Sequence, residues 1–242
     1  MANEAKKGLN TNSNTYTIIY SAIMVIIVAF LLAFVYQVLK DRQDANVALD
    51  KKKQILYSLN IRGLNDDEAA AKYKEVVISD DILDANSNVV PNENKDNESN
   101  GFKLGSADYK EGKLAVFTCK IDGEEKFVIP VYGMGLWGPI SGYVALNGDC
   151  QTVFGAYFNH DSETAGLGAE IKDSQAWQEK FIGKKLFLEG SDDIALSVEK
   201  NVSNADSEVD AVTGATLTSN GVRDMLKEGL GKYVAFFKSH KK

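Results

Sequence analysis

Lys113 to Gly133 reads KLAVFTCKIDGEEKFVIPVYG, and this stretch decides the fold class. Two runs rich in β-branched and aromatic residues flank Asp122-Gly123, a dipeptide that favours a tight hairpin turn. Two further runs, SGYVALN and TVFGAYF, are typical of strands joined through Asn147-Gly148-Asp149. The pattern therefore predicts hairpins and a mainly antiparallel sheet.

Helical patterns flank these strands along the chain. They cover residues 40–62, residues 66–77, residues 173–184 and the residues from Asn220 onward. The second begins with two aspartates, which favour a helix N-terminus. In the third, Ala176, Phe181 and Trp177 are expected to face inward. In the last, four apolar residues recur at helical spacing: Val222, Leu226, Leu230 and Val234. Residues 185–190 and 193–199 resemble strands, so the whole indicates an α+β domain.

Residues 16–39, YTIIYSAIMVIIVAFLLAFVYQVL, contain no charged side chain. At the helical rise they span a hydrocarbon core of about 30 Å. Tyrosines near both ends suit the headgroup level. The alternative is a cleaved signal peptide, whose apolar region is shorter and is followed by a small-residue cleavage site. Because VYQVLKDRQD follows here, we expect an uncleaved anchor.

These patterns divide the chain into five segments. They are a short N-terminal arm (1–15), a transmembrane helix (16–39), a helical connector that begins the soluble domain (40–83), a polar loop or insertion (84–101), and a C-terminal domain that ends in a helix (102–242).

Composition excludes some classes of function. The 242 residues carry a formal net charge of −7, and no basic patch with interleaved aromatic residues stands out, which argues against nucleic acid as a partner. Two cysteines, Cys119 and Cys150, are too few for this chain alone to hold a zinc site or an iron–sulfur cluster. They form one disulfide in an oxidising compartment, or they are two small half-buried apolar residues.

The stretch DAVTGATLTSNGV, residues 210–222, joins a β-branched run to the last helix. One interpretation is a plain junction, in which Gly214 makes the turn, Thr218 or Ser219 caps the helix, and nothing binds.

The other interpretation is a phosphate site. A helix N-terminus offers unpaired N–H groups and the positive end of a dipole, and Gly214 and Ala215 let a ligand approach the backbone. Thr213 and Thr216 supply hydroxyls. Because a threonine hydroxyl is a poor nucleophile, a phosphoester at Thr216 requires a base or a separate enzyme.

The same stretch resembles the flavinylation motif of bacterial membrane redox complexes, which is aspartate, two residues, then Ser/Thr-Gly-Ala-Thr. In that family the final threonine carries FMN through a phosphoester, and a dedicated transferase attaches it from FAD. By position the acceptor is Thr216, with Asp210 and Thr213 at the other marked positions. GMGLWGPISGYV (133–144) and HDSETAGLGAEI (160–171) resemble further segments of this family in the same order.

The resemblance runs from the membrane helix to the C-terminus. Leu136-Trp137-Gly138 and the Leu-Thr-Ser after Thr216 favour the C-subunit family of the sodium-translocating NADH:quinone oxidoreductases over the related G subunit of the Rnf complexes. It implies an FMN-binding domain and an electron-relay subunit that is not catalytic alone. In such a complex, NADH:ubiquinone reduction is coupled to sodium export. The alternatives are an Rnf-type subunit and an anchored binding module without a redox role.

The implied partners are other subunits of one membrane redox complex. The covalent FMN is expected to receive an electron from an iron–sulfur centre and to pass it to a flavin in a membrane subunit. No GxGxxG fingerprint follows a strand, so NADH should bind another subunit. A single span without charge does not form a sodium path.

The flavin ring needs apolar walls and a few polar contacts at its edges. We expect Leu167 and Trp137 as walls, and Glu163, Thr164 and the backbone at Gly166 and Gly168 as edge contacts. Plain alternatives stand beside these roles: Trp137 as a core residue, Glu163 as a solvated carboxylate, and His160 as a surface or packing residue.

The resemblance implies the bacterial inner membrane, with the FMN domain on the periplasmic side. Lys6 and Lys7 precede the span, whereas Lys40, Arg42 and Lys51 to Lys53 follow it. This count of basic residues points to a cytoplasmic domain, although the rule is weak for long domains. The family expectation and the count therefore disagree.

Residues 40–242, expressed without the flavin transferase, should be soluble and colourless, because the anchor supplies most of the membrane affinity and the transferase supplies the flavin. Ultracentrifugation and a visible absorption spectrum test this prediction. A yellow product with noncovalent FMN would contradict it, since the pocket rather than the tether would then dominate binding.

Overall fold

The computed structural model describes residues 11–84, 87–90 and 97–240. The chain forms two compact units, Met1–Ala48 and Leu49–Lys242. Helix α1, Asn14–Ser58, includes a segment that is long and apolar enough to cross a membrane, and the side chains of that segment are exposed. The helix confirms the helical pattern predicted for residues 16–39 and continues it toward Ser58.

The second unit holds the other elements. Its helices are α2 (Asp66–Val76), the 3-10 turn η1 (Gly101–Lys103), α3 (Ser106–Lys110), α4 (Glu170–Asp173), α5 (Gln175–Glu179), α6 (Thr216–Gly231) and α7 (Val234–His240). Its strands are β1 (Val77–Leu83), β2 (Val89–Val90), β3 (Leu114–Ile121), β4 (Glu124–Met134), β5 (Pro139–Asn147), β6 (Val153–His160), β7 (Ser197–Glu199) and β8 (Glu208–Asp210).

In the described part of the chain, six strands form one sheet in the order β2-β1-β3-β4-β5-β6, and every neighbouring pair is antiparallel. Strands β7 and β8 form a separate parallel pair. The β3–β4 turn has Asp122 at φ 51° and Gly123 at φ 86°, the positive values that a two-residue hairpin turn requires. The predicted α+β fold with a mainly antiparallel sheet is confirmed.

Strand β1 was not expected from its sequence, VISDDIL, because aspartate is depleted in strands. The side chain of Asp80 is buried, and its Oδ2 accepts the amide N–H groups of Asn100 and Phe102 at 2.8 and 2.9 Å. The aspartate thus anchors η1 to the sheet. The stretch 84–101 also contains strand β2, while its residues 85–86 and 91–96 lie outside the described residues.

Several boundaries differ from the predictions. Helix α6 begins at Thr216, four residues before Asn220, and it ends at Gly231, so that Val234 opens a separate helix. In the segment 173–184, Trp177 and Phe181 are buried as expected, but Ala176 is exposed. Residues 185–190 make isolated bridges only.

Both cysteines are buried free thiols, so the disulfide alternative is not the one found. Burial raises the pKa of Cys150 to about 12, and it raises the pKa of Cys119 well above its usual range. Thiols in this state are inert, because the thiolate is the reactive form.

Helix α6 packs closely on strand β4. Val222, Met225, Leu226 and Leu230 are buried along the helix, and a Cβ atom added to Gly133 would lie 2.6 Å from Met225 Cβ. The glycine therefore permits the close approach that brings the N-terminal turn of α6 beside the β4–β5 hairpin.

We predict that Gly133→Ala lowers the free energy of unfolding by about 1–3 kcal/mol, because the added methyl overpacks the contact with Met225. Urea denaturation of residues 40–242 measures the change. Gly231→Ala is the control, since an added Cβ there meets no described atom within 4 Å. Equal stabilities for the two variants would contradict the predicted close contact.

Candidate functional site

The motif forms a tight turn that leads directly into α6. The amide of Ala215 donates to the carbonyl of Val212 at 3.1 Å, and Gly214 has φ 76°. Glycine adopts this left-handed conformation at little cost, whereas a residue with a Cβ is strained there. The turn places Thr216, an exposed residue, at the first position of the helix.

The predicted capping of this helix by Thr218 or Ser219 is wrong. The residue before the helix is Ala215, and among the described residues no side chain caps it. The Thr218 hydroxyl donates to Glu163 Oε2, and Ser219 Oγ accepts the amide N–H of Val212 at 3.0 Å. Both hydroxyls are buried and serve tertiary contacts instead.

A buried carboxylate joins the motif to two other segments. Glu163 is 8% exposed, and its Oε1 accepts the backbone N–H of Trp137 at 2.9 Å while its Oε2 accepts the hydroxyl of Thr218. Its own amide donates to Nδ1 of His160 at 3.2 Å. The arrangement brings together all three segments on which the family resemblance rests.

Two glycines make room for this carboxylate. A Cβ on Gly135 would lie 2.5 Å from Glu163 Oε1, and a Cβ on Gly168 would lie 2.5 Å from Thr218 Oγ1 and would also overlap Glu163 Oε2. Real Cβ atoms do not approach other atoms so closely, so a larger residue at either position would displace the Glu163 carboxylate or the Thr218 hydroxyl. Glycine at these two positions thus has a packing reason.

Several apolar side chains of the three segments face solvent. Trp137 is 65% exposed and Leu167 is 43% exposed, and the alternative that Trp137 is a core residue is wrong. Leu167 lies against the turn, because a Cβ on Gly214 would be 2.9 Å from its Cδ2. Leu217, Leu136 and Met134 are also exposed. Exposed apolar groups around a polar centre are typical of a binding site.

A shallow cavity of about 330 Å³ borders the turn, and its lining includes Gly166, Trp177, Asp210 and Thr213. Here Asp210 accepts two hydrogen bonds from Lys180 Nζ at 2.8 and 2.9 Å, and its carbonyl accepts Trp177 Nε1–H at 2.8 Å. Sequence reasoning missed Lys180 and gave Trp177 only a packing role. Both residues lie about 30 positions before the motif, and nothing in the local sequence indicates that they contact it.

The remaining predicted residues lie in the loop that carries Leu167. Thr164 is exposed, and its carbonyl accepts the amides of Leu167 and Ala169 at 3.1 and 3.0 Å. Gly166 has φ 73° and opens onto the shallow cavity. Sequence reasoning missed Leu217 as an exposed neighbour. The sequence feature that could have indicated it is a large apolar residue between hydroxyl residues in the first turn of a helix.

The arrangement fits a tethered FMN. An exposed hydroxyl stands at the start of a helix whose first amides are outside the hydrogen-bond ladder, a position that stabilises a phosphate. Exposed Trp137, Leu167 and Leu217 offer apolar surface of the kind that a flat ring requires. The turn at Gly214 keeps the backbone open beside the hydroxyl.

Comparison with known proteins identifies the family of this chain. Residues 135–231 match the family model described as FMN-binding domain. The C subunit of the Na(+)-translocating NADH-quinone reductase of Haemophilus ducreyi is 32% identical over 97% of this chain and 98% of its own length. The protein of the same name from Vibrio vulnificus is 34% identical over 80% of this chain and 81% of its own length.

The crystal structure of the Na(+)-translocating NADH-quinone reductase C subunit from Parabacteroides distasonis is similar in fold, with a TM-score of 0.74 and 33% sequence identity. The match covers 82% of this chain and 96% of that one. Because the Haemophilus ducreyi relative is 32% identical over 98% of its own length and the FMN-binding domain model covers residues 135–231, this chain belongs to the C-subunit family of the Na(+)-translocating NADH-quinone reductases.

Proposed function

We propose that this chain is the electron-relay subunit of a sodium-translocating NADH:quinone oxidoreductase and that it carries FMN covalently on Thr216. The observation that supports the proposal most directly is the exposed Thr216 hydroxyl at the first position of α6, behind the Gly214 turn. The motif around it has the spacing of the flavinylation motif, and the described geometry leaves this hydroxyl accessible to a second enzyme.

The attachment is a phosphoryl transfer. The oxygen of Thr216 attacks the FMN phosphorus of FAD, a phosphoester bond forms, and the phosphoanhydride bond breaks to release AMP. The hydroxyl proton passes to a base of the flavin transferase, because a threonine hydroxyl needs activation. The phosphodiester product keeps one negative charge beside the N-terminus of α6, where the helix dipole is favourable.

The residues near Thr216 then hold the ring. Leu167 and Trp137 are the proposed walls, and exposed Leu217 extends the same apolar surface. Thr164 and the backbone at Gly166 are the proposed edge contacts. Thr213 and Ala215 flank Gly214 in this turn, whose backbone would lie beside a phosphate on Thr216.

Bound FMN supplies the electron-accepting and electron-donating chemistry, while this chain supplies the tether, the walls and the surrounding charges. The proposed partners are an iron–sulfur centre and a membrane flavin subunit of the same complex, the flavin transferase and membrane lipid.

Helix α1 anchors the chain once in the bacterial inner membrane, and the domain lies on the periplasmic side. The complex couples the electron transfer to sodium export. The names of the relatives favour this family over the Rnf-type alternative.

Thr216→Ala should abolish covalent flavin, because the acceptor oxygen is lost. The full chain is coexpressed with the transferase and run on a denaturing gel under ultraviolet light, and the peptide mass is measured. Thr213→Ser is the control, since the motif accepts serine or threonine there, and it should stay fluorescent. A dark wild-type band would instead support the non-redox binding module.

Leu167→Ala should leave the covalent link intact but expose the ring to solvent. The flavin fluorescence of the native protein should then become less polarised, while the free energy of unfolding changes by about 1 kcal/mol or less, because the side chain is already partly exposed. Leu188→Ala, at a similarly exposed leucine outside the site, is the matched control. Identical polarisation in both variants would remove Leu167 from the wall.

A further inference from the structure

We propose that Glu163 is a positioning residue: its carboxylate holds the Trp137 loop against the start of α6, and so sets the place of the indole beside the tethered flavin. The consequence for the flavin rests on the function proposed above, whereas the positioning contact itself stands on the geometry of the protein. We name the contact the Glu163 clamp, which consists of the Glu163 carboxylate, the Trp137 amide and the Thr218 hydroxyl.

Both carboxylate oxygens face protein donors. Oε1 accepts the amide N–H of Trp137, and Oε2 accepts the hydroxyl of Thr218, which lies two residues after the attachment threonine. With 8% of Glu163 exposed, little of the side chain is left to contact a ring directly. This geometry favours a positioning role over the edge contact expected from the sequence.

Burial of the Glu163 carboxylate costs free energy, which indicates that it has a role beyond stability. Among the described residues, the side chain of Glu163 makes its hydrogen bonds to one amide and one hydroxyl, and no salt bridge to it is formed. A buried carboxylate without a cationic partner is unfavourable unless its hydrogen bonds are well made. If stability were its sole role, a neutral or apolar side chain would serve there as well.

Trp137 is the side chain that depends on the clamp. Its loop closes through the amide of Gly135 and the carbonyl of Gly138 at 2.8 Å, and its indole is 65% exposed. An exposed indole is not held by core packing, so its place is set by its backbone. The backbone is in turn held by Glu163, which connects it to the same helical turn that bears Thr216.

The first test compares Thr218→Val with Thr218→Ser in the full chain without flavin. Valine has nearly the shape of threonine but no hydroxyl, so Oε2 loses its donor, whereas serine keeps the donor. Amide hydrogen exchange at Trp137 should become about tenfold faster or more in the valine variant, since loss of a tertiary bond lowers local stability, and it should stay close to wild type in the serine variant.

The second test uses the flavinylated full chain. An indole next to a flavin quenches its fluorescence, so Thr218→Val and Glu163→Ala should both show brighter and less polarised flavin with the covalent mass unchanged. Trp137→Leu should also be brighter, which identifies the quencher. Glu189→Gln removes an exposed carboxylate elsewhere in the chain and should match wild type.

The outcomes separate the two proposals. Wild-type exchange at Trp137 in both Thr218→Val and Glu163→Ala would overturn the clamp, and Thr218→Val decides alone should Glu163→Ala not fold. Faster exchange with unchanged fluorescence would overturn the positioning role and leave the covalent site intact. If neither variant acquires flavin, the clamp is needed for flavin attachment, and that result would also overturn its proposed role in positioning the indole. Absence of covalent FMN in the wild-type chain would overturn the proposed function, while the exchange result still decides the clamp.

Discussion

The buried carboxylate of Glu163 is the constraint on which the rest of the site depends. Segments around residues 135–138, 160–168 and 212–219 are far apart along the chain, yet each contributes an atom within hydrogen-bond distance of this side chain or of its neighbours. Because buried polar oxygens are unfavourable without hydrogen bonds, these contacts hold the segments together. Glycine at positions 135 and 168 leaves room for the Glu163 carboxylate and the Thr218 hydroxyl.

The N-terminus of α6 follows Ala215, which has no side chain that could cap it. Thr218 and Ser219 are good capping residues, and a cap would occupy the first amides of α6. In the fold their hydroxyls are used for Glu163 and for the amide of Val212. Both Thr218 and Ser219 lie inside α6, whereas the residue before it is Ala215, so no described side chain caps the first amides of the helix. Tertiary structure thus decides which hydroxyl residues of this stretch are buried in contacts, while Thr216 stays exposed.

Sequence patterns predict the parts of the fold that depend on residues close together along the chain. The β3–β4 hairpin follows from Asp122-Gly123, since few other dipeptides accept two positive φ angles. Strand β1 was missed because Asp80 is a poor strand residue, and its hydrogen bonds to the amides of Asn100 and Phe102 depend on a distant part of the chain. The predicted start of α6 was too late, because Gly214 and the hydroxyl residues after it are typical of a loop.

The sequence by itself determined the apolar helix, the hairpin-rich α+β class and the position of Thr216 in a motif, because each depends on residue type and spacing within a short stretch. It left open whether Trp137 lies in the core, what Glu163 contacts and whether the helix is capped. Only the tertiary structure decided these three, since each depends on which segments lie next to one another in space. The sequence of a short stretch does not indicate which distant segments will pack against it.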